Sequence, residues 1–492
     1  MFSRFIPSLF RILRLTTILD SPIMRRFLAA FLLTAAVSFA QNFANNLPHG
    51  TVIERVECKA DPSSSYAAYL PSNFTPEKKW PIVFAFDPGG RGAMPIKLYK
   101  DTAEKYGFIF VASNDSRNFS AADSDRGTRA MWLDTHDRFP IDENRVYTTG
   151  FSGGARMAGH VALACTGCKI AGVIAHGAGY PVSIRPTDKN GPAYFLMVGD
   201  VDFNWQEVIK IRQQREDQGY AYRVETFHGP HQWGPPELFE AAMRWMQLKA
   251  MQQNRMPREQ AFIDLFYKGE ELRAVEAQQQ HDTLALLAAY RSLVSDFEGL
   301  KDNADYAKKL AALKSSKDLK EALKKENEQI TQQAEATTDA DTALAKLGAA
   351  SSPSDRNTAI SDATAAMKTL KDQVERTKSG TKSLVLQRAF AEVFANTIER
   401  GQAQLENKKY DNAEMYFTLI ATVSDEPWPQ LLLADARAEQ GNRKGSLQAL
   451  DKCIKSGLKN PKALETDAHL QSLRADPEFQ RLVASLQNSG QK

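Results

Sequence analysis

The sequence predicts a mostly parallel β-sheet with helices on both faces, followed by an all-α half. Three observations point there. Short apolar runs alternate with helical segments over the first 250 residues, the pattern of a sheet built from crossover units. Glycine and proline number 19 and 16 before residue 251 but only 9 and 6 after it, so turn-rich chain gives way to long helices. The second half then spaces its apolar residues three and four apart, the period of a helix face.

In chain order, residues 1–40 come first, with Arg4, Arg11, Arg14, Arg25 and Arg26 set against Asp20. Met24-Arg25-Arg26 opens an uncharged stretch that ends Val37-Ser38-Phe39-Ala40. A basic start, a short apolar run and small residues before a cut make a secretory signal, with residues 1–23 as an upstream extension. The run is short for a membrane helix, which needs about 20 apolar residues. The mature chain is therefore expected to start near Gln41 and to be exported, touching a membrane only through an uncleaved signal.

The 62 basic and 59 acidic residues leave a net charge of +3, and without residues 1–40 the balance is 57 to 58. That excludes a nucleic-acid partner read from charge. At 492 residues, 43% hydrophobic and 25% charged, the chain is not disordered, not a polytopic membrane protein and not a small disulfide scaffold.

The strand candidates are Ile82–Phe86, Phe108–Ala112, Val146–Thr149, Ala171–Ala175, Tyr194–Val198 and Tyr222–Phe227. In such sheets the chemistry sits at the carboxyl ends of the strands. Gly150-Phe151-Ser152-Gly153-Gly154 follows the third run directly. This G-x-S-x-G pattern lets the chain turn sharply from strand to helix, lifts the Ser152 hydroxyl over the sheet edge and aims the Gly153 amide where an oxyanion would form.

A serine hydroxyl needs a base, and the base needs an acid to orient it. Asp200 and Asp202 follow the run ending at Val198. His228 and His231 follow the run ending at Phe227. Asp202 and His231 are the preferred pair, because His228 adjoins the strand end while His231 lies beyond a Gly-Pro turn; Asp200 is the alternative acid. The second oxyanion donor is sought in Asp87-Pro88-Gly89-Gly90-Arg91-Gly92, where Pro88 has no N–H and Gly89 or Gly90 must donate. Arg91, Trp132, Trp205 and Trp233 lie near these loops, where they would line a pocket or cover core edges.

Ser65-Tyr66-Ala67-Ala68-Tyr69-Leu70-Pro71, Trp80-Pro81-Ile82-Val83 and Ile141-Asp142-Glu143-Asn144-Arg145-Val146-Tyr147, leading into the Ser152 turn, resemble the polyhydroxybutyrate depolymerase and feruloyl esterase-like branch of the α/β-hydrolases. The resemblance covers residues 50–250. It implies the α/β-hydrolase fold and a secreted carboxylesterase with Ser152 as nucleophile, Asp202 as acid and His231 as base. That family usually carries His-Gly where this chain has Asp87-Pro88, so the oxyanion hole must differ in detail.

Cys165 and Cys168 form a close pair at the end of a helical stretch, whereas redox motifs stand at a helix start. A structural disulfide within the pair, or from one member to Cys58, is expected. No metal-ligand spacing occurs, and no metal or cofactor is expected.

Beyond residue 250, Leu284, Leu287, Tyr290, Val294 and Phe297 mark one helix face, and Tyr306, Leu310, Leu313, Leu319 and Leu323 continue it as a coiled-coil-like hairpin. Residues 331–382, rich in Ala, Ser and Thr, read as a thin helical stretch or a linker. Asn407–Ala413 and Gly441–Leu447 both join helical segments at an offset of 34, the tetratricopeptide period. The expected divisions are 1–40, 41–250, 251–380 and 381–492, the last offering a surface to a protein partner or packing as a cap on the hydrolase.

The function expected from these residues is ester hydrolysis through an acyl-enzyme, on substrates that include polymer- or sugar-linked esters. A serine peptidase, or a scaffold whose hydrolase half is inactive, are the alternatives.

Overall fold

A computed structural model describes residues 47–165, 167–181, 183–216 and 218–489; the signal-like segment and the expected cut near Gln41 lie outside the described residues. The strands are β1 (Val52–Glu57), β2 (Ser65–Tyr69), β3 (Trp80–Phe86), β4 (Ile109–Ser113), β5 (Ile141–Phe151), β6 (Gly172–His176), β7 (Ala193–Gly199) and β8 (Tyr222–Phe227). Their order in the sheet is β1-β2-β4-β3-β5-β6-β7-β8.

β3 runs parallel to β4 and β5, with Phe84 opposite Val111 on one side and Thr148 on the other. β7 and β8 are also parallel, and β2 pairs antiparallel on both of its sides. β3, β4, β6 and β7 are buried along their whole length, which is why they appear as continuous apolar runs. The sequence reading found β3 to β8 and missed β1 and β2 as strands. β1 reads VIERVE, and only Val56 is buried, so an edge strand with three charges shows no apolar run.

Helices α1 (Ala93–Tyr106), α2 (Ala121–Arg138), α3 (Gly153–Ala164) and α4 (Trp205–Arg215) make the crossovers after β3, β4, β5 and β7, and α5 (Pro236–Gln252) follows β8. This order of strands and crossovers, with β2 reversed, is the α/β-hydrolase fold.

By its internal contacts the chain divides into two units, Met1–Gly150 with Met157–Val173, and Phe151–Arg156 with Ile174–Lys492. The described part of the first unit is centred on β3 and β4. There the buried Asp134 carboxylate accepts from Tyr66 Oη at 2.6 Å and from Arg138 Nε at 2.9 Å, which satisfies the carboxylate and both its donors inside the fold. Cys165 and Cys168 form a disulfide just past α3, while Cys58 and Cys453 are buried free thiols.

In the second unit everything after α5 is helical. α6 (Gln260–Gln279) and α7 (Thr283–Ser295) lead to α8 (Ala304–Ser315), which buries no residue. The expected hairpin of Tyr306 to Leu323 is broken at Ser316, whose hydroxyl accepts from Leu319 N–H at 3.1 Å and caps α9 (Lys317–Ala349).

Residues 331–382 are not a linker. They complete α9, form α10 (Pro353–Arg376) and open α11 (Gly380–Glu406). Ala340, Ala343, Ala359 and Ala363 are buried there with Leu344, Leu347, Met367 and Leu370. Small side chains thus form the contact itself, so few large apolar residues were needed.

The last helices are α12 (Tyr410–Val423), α13 (Pro427–Glu439), α14 (Arg443–Lys455), α15 (Lys462–Glu465) and α16 (Pro477–Ser489). The turns before α12 and α14 each place one residue in the left-handed region, Lys408 at φ 57° and Gly441 at φ 76°. Those positions are 33 residues apart, one fewer than the alignment of the two turns by sequence.

Candidate active site

β5 ends in a turn that Ser152 makes with φ 54°, a left-handed backbone that a serine adopts only under constraint. The constraint is visible on both sides. Ser152 N–H donates to the His176 carbonyl at 2.8 Å, and its own carbonyl accepts from Ala155 and Arg156 as α3 begins. Gly153 N–H has no acceptor among the described residues, as expected for the first turn of a helix.

His231 stands between Ser152 and Asp202. Its Nε2 is 2.9 Å from Ser152 Oγ, and its Nδ1 is 2.9 Å from each carboxylate oxygen of Asp202. Ionised Asp202 can only accept, so Nδ1 carries the proton and Nε2 accepts from the serine hydroxyl. Asp202 is fully buried, and its Oδ1 also accepts from Asn204 N–H at 2.8 Å. Phe151 and Phe203 flank the imidazole with ring centroids 4.5 and 4.2 Å away, which fixes the plane of the ring.

The alternatives form a pair of their own. Asp200 accepts from His228 Nδ1 at 2.9 Å and from Gly229 N–H at 3.1 Å, and the His228 ring is open to water. The Asp200 carboxylate raises the His228 pKa by holding its protonated form. Two His–Asp pairs thus occupy the ends of β7 and β8, and only one of them includes Ser152.

The expected second oxyanion donors are engaged elsewhere. Gly89 N–H donates to Asp87 Oδ1 at 2.9 Å, and Gly90 N–H donates to the Asp87 carbonyl at 3.1 Å. Arg91 closes the same turn on the Asp87 carboxylate through Nε at 2.8 Å and Nη2 at 3.0 Å. A side-chain acceptor two residues before a glycine draws its amide inward, which spacing alone did not reveal.

Of the candidate pocket aromatics, Trp205 and Trp233 are buried, while Trp132 packs on its neighbours and also lines a cavity with His160 and Cys168. Trp132 stacks on His136 and Phe84, Trp205 lies under the Arg388 guanidinium, and Trp233 packs against His176 and Phe151.

Several supporting residues have no local sequence signal. Gly177, just past β6, has φ 61°, and a Cβ there would sit 2.9 Å from Asp202 Oδ2 and 3.1 Å from the His231 ring. His176 is fully buried, accepts from Gly234 N–H at 3.1 Å through Nδ1, and is held neutral because burial lowers its pKa to about 3. On α3, Arg156 grips Glu207 at 2.8 and 2.9 Å and the Tyr180 carbonyl at 3.0 Å.

The loop carrying Asp202 is also held from the far end of the chain. Gln333 of α9, fully buried, donates to the Phe203 carbonyl at 3.3 Å and to Glu392 of α11 at 2.7 Å. Arg388 of α11 donates to the Asp200 carbonyl at 3.3 Å and lies 3.8 Å over the Trp205 ring. Arg212 and Gln213 of α4 pair with Glu326 of α9.

Among the described residues no cluster of His, Cys, Asp or Glu could hold a metal ion, and no helix is long and apolar enough to cross a membrane.

No family model and no curated protein matches the chain. Solved structures similar to it include S-formylglutathione hydrolase (FrmB) from Staphylococcus aureus, 14% identical over 41% of this chain and 98% of that one, with a TM-score of 0.32. A truncated carbohydrate esterase from gut microbiota is 14% identical over 42% of this chain and 97% of that one, at a TM-score of 0.34. An esterase of Pyrobaculum calidifontis is 14% identical over 48% and 98% of the two chains, at a TM-score of 0.32. The fold assignment rests on strand order and register, not on these scores.

Proposed function

We propose that the chain is an exported serine hydrolase that cleaves carboxylic esters through an acyl-enzyme. One observation carries the reading: His231 stands 2.9 Å from both Ser152 Oγ and the buried Asp202 carboxylate. That arrangement converts a poor nucleophile into a good one without metal or cofactor.

In the first step His231 Nε2 takes the hydroxyl proton as Ser152 Oγ attacks the ester carbonyl. Asp202 holds the imidazole tautomer and stabilises the imidazolium that forms. The Gly153 amide donates to the developing oxyanion, and His231 then returns the proton to the leaving alcohol. In the second step His231 activates water against the acyl-enzyme and Ser152 is regenerated.

The Cys165–Cys168 disulfide supports export, because such bonds persist in oxidising compartments. The paired turns at Lys408 and Gly441 support a tetratricopeptide-like surface for a protein partner at the end of the chain.

Labelling with a neutral fluorophosphonate tests the central claim. The wild type should label and Ser152→Ala should not, with ester turnover falling at least ~10³-fold in that variant. A folded wild type that does not label would sink the enzyme reading in favour of a scaffold. Acetyl, butyryl, feruloyl and hydroxybutyrate esters run beside peptides separate an esterase from a peptidase.

A further inference from the structure

We propose that the cavity between β8, α5 and α6 binds a small organic carboxylate, with Arg244 as its anchor. The inference stands apart from the serine-hydrolase reading, since Ser152, Asp202 and His231 do not line this cavity.

Three elements each turn one face to it. Arg223 and Glu225 are two residues apart on β8, Leu238, Ala241 and Arg244 are three apart on α5, and Phe266, Glu270 and Arg273 are three or four apart on α6. The space between them measures about 290 Å³, which suits a molecule the size of benzoate or butyrate rather than a chain.

Its buried side is a closed ring of four charges. Arg223 donates to Glu225 at 2.7 Å and to Glu270 at 3.0 Å, while Arg273 lies 3.1 Å from Glu225 and 3.2 Å from Glu270. Arg223 and Glu270 are themselves buried. Asp296, whose charge also reaches Arg223, is matched by Lys249 at 3.6 Å. Arg244 stands outside the ring. It is half-buried, with its guanidinium 5.3 Å over the Phe266 ring and no hydrogen bond or ion pair to another described residue.

The capacity left over is for an acceptor. Each guanidinium carries five N–H donors. Three such groups face two carboxylates here, so donors and positive charge are both in excess. Water can fill these donors singly, whereas a carboxylate takes two at once and supplies the missing charge. Stacking on Phe266 leaves the edge of the Arg244 guanidinium open for that bidentate pair. Leu238, Ala241 and Phe266 offer an apolar wall to the body of the ligand. Gly269 also lines the cavity. Glycine weakens a helix interior, and a Cβ there would meet nothing within 4 Å, so the packing of the chain does not call for it. What it does is keep the space open.

Calorimetric titration of the full chain at low ionic strength tests the proposal. Benzoate and butyrate should bind with a Kd on the order of 1 mM or tighter, and benzamide and benzylamine should not bind at that concentration. Arg244→Gln should weaken benzoate at least ~10-fold. Gly269→Leu fills the space and favours the helix, so it should weaken benzoate as much while its Tm stays at or above that of the wild type. That variant decides the matter should Arg244→Gln fail to fold.

Benzoate held at the Ser152 site would be untouched by either substitution. Wild-type affinity in Gly269→Leu or in a folded Arg244→Gln therefore overturns the proposal. So does benzamide binding as well as benzoate, which would make the cavity merely apolar, or inorganic phosphate binding as well, which would remove the organic class. No benzoate binding at all would leave the cavity to water and overturn it outright.

Discussion

Asn204 donates from its side-chain amide to the Gly177 carbonyl at 2.8 Å, and so ties the end of β6 to the loop that carries Asp202. Its backbone N–H holds Asp202 Oδ1 independently. Asn204→Ala removes the first bond and keeps the second. The expected cost is roughly 1 kcal/mol of stability, read by denaturant unfolding. Ester turnover should slow about tenfold as the two loops loosen.

Gly177 itself tolerates no side chain. Gly177→Ala would force a left-handed alanine, about 1 kcal/mol of backbone cost, and drive its Cβ into Asp202 and His231. Turnover and fluorophosphonate labelling should both fall at least ~100-fold while circular dichroism remains that of the wild type.

Arg388 is a buried cation whose hydrogen bonds go to a carbonyl and an amide oxygen, and burial lowers its pKa to about 10. Removing such a charge with a side chain of similar length is often neutral or stabilising by ~1–4 kcal/mol. Arg388→Met should therefore keep or raise the Tm and still lose about tenfold in turnover, because Asp200 is no longer held. Hydrogen exchange over residues 200–206 should rise in the same variant. Parallel loss of Tm and activity would make Arg388 merely structural.

His176 predicts an acid-side slope. Its folded pKa of about 3 lies below the ordinary 6.5, so from 6.5 down to 3 only the unfolded chain takes up the proton. Stability from this group is complete above 6.5 and falls by about 1.4 kcal/mol per pH unit through that window. The difference in slope between wild type and His176→Gln isolates it, and unfolding free energies at pH 6, 5 and 4 measure it. Identical slopes would contradict this account.

The Cys165–Cys168 bridge closes a very short loop, so loop entropy alone makes it worth about 2 kcal/mol. Cys165→Ser/Cys168→Ser should lose that much stability and keep ester turnover, since α3 begins at the far end of the segment. A reductant titration followed by unfolding checks it.

The parallel strands and the Ser152 turn were legible because each is local. Buried strands read as apolar runs, and a sharp strand-to-helix turn needs small neighbours such as Gly150 and Gly154. Asp202 and His231, which meet at Ser152, were marked as candidates by their order after later strands. What escaped lies in side chains that meet across long separations. Asp87 captures the Gly89 amide through a carboxylate that spacing does not orient. Gln333 meets Phe203 across 130 residues, and Arg388 meets Asp200 across 188. The helices of residues 331–382 hid for a different reason, since they pack through alanines that carry little hydropathy signal.

The grip of Gln333 and Arg388 on the acid loop has a genetic consequence. A recombination that moved the first 250 residues to another protein would carry every member of the Ser152–His231–Asp202 set and leave its brace behind. The transplanted half would inherit the chemistry in name and lack its alignment. Substitutions of Gln333 and Arg388 should therefore act on the loop of Asp202 as though they stood beside the serine.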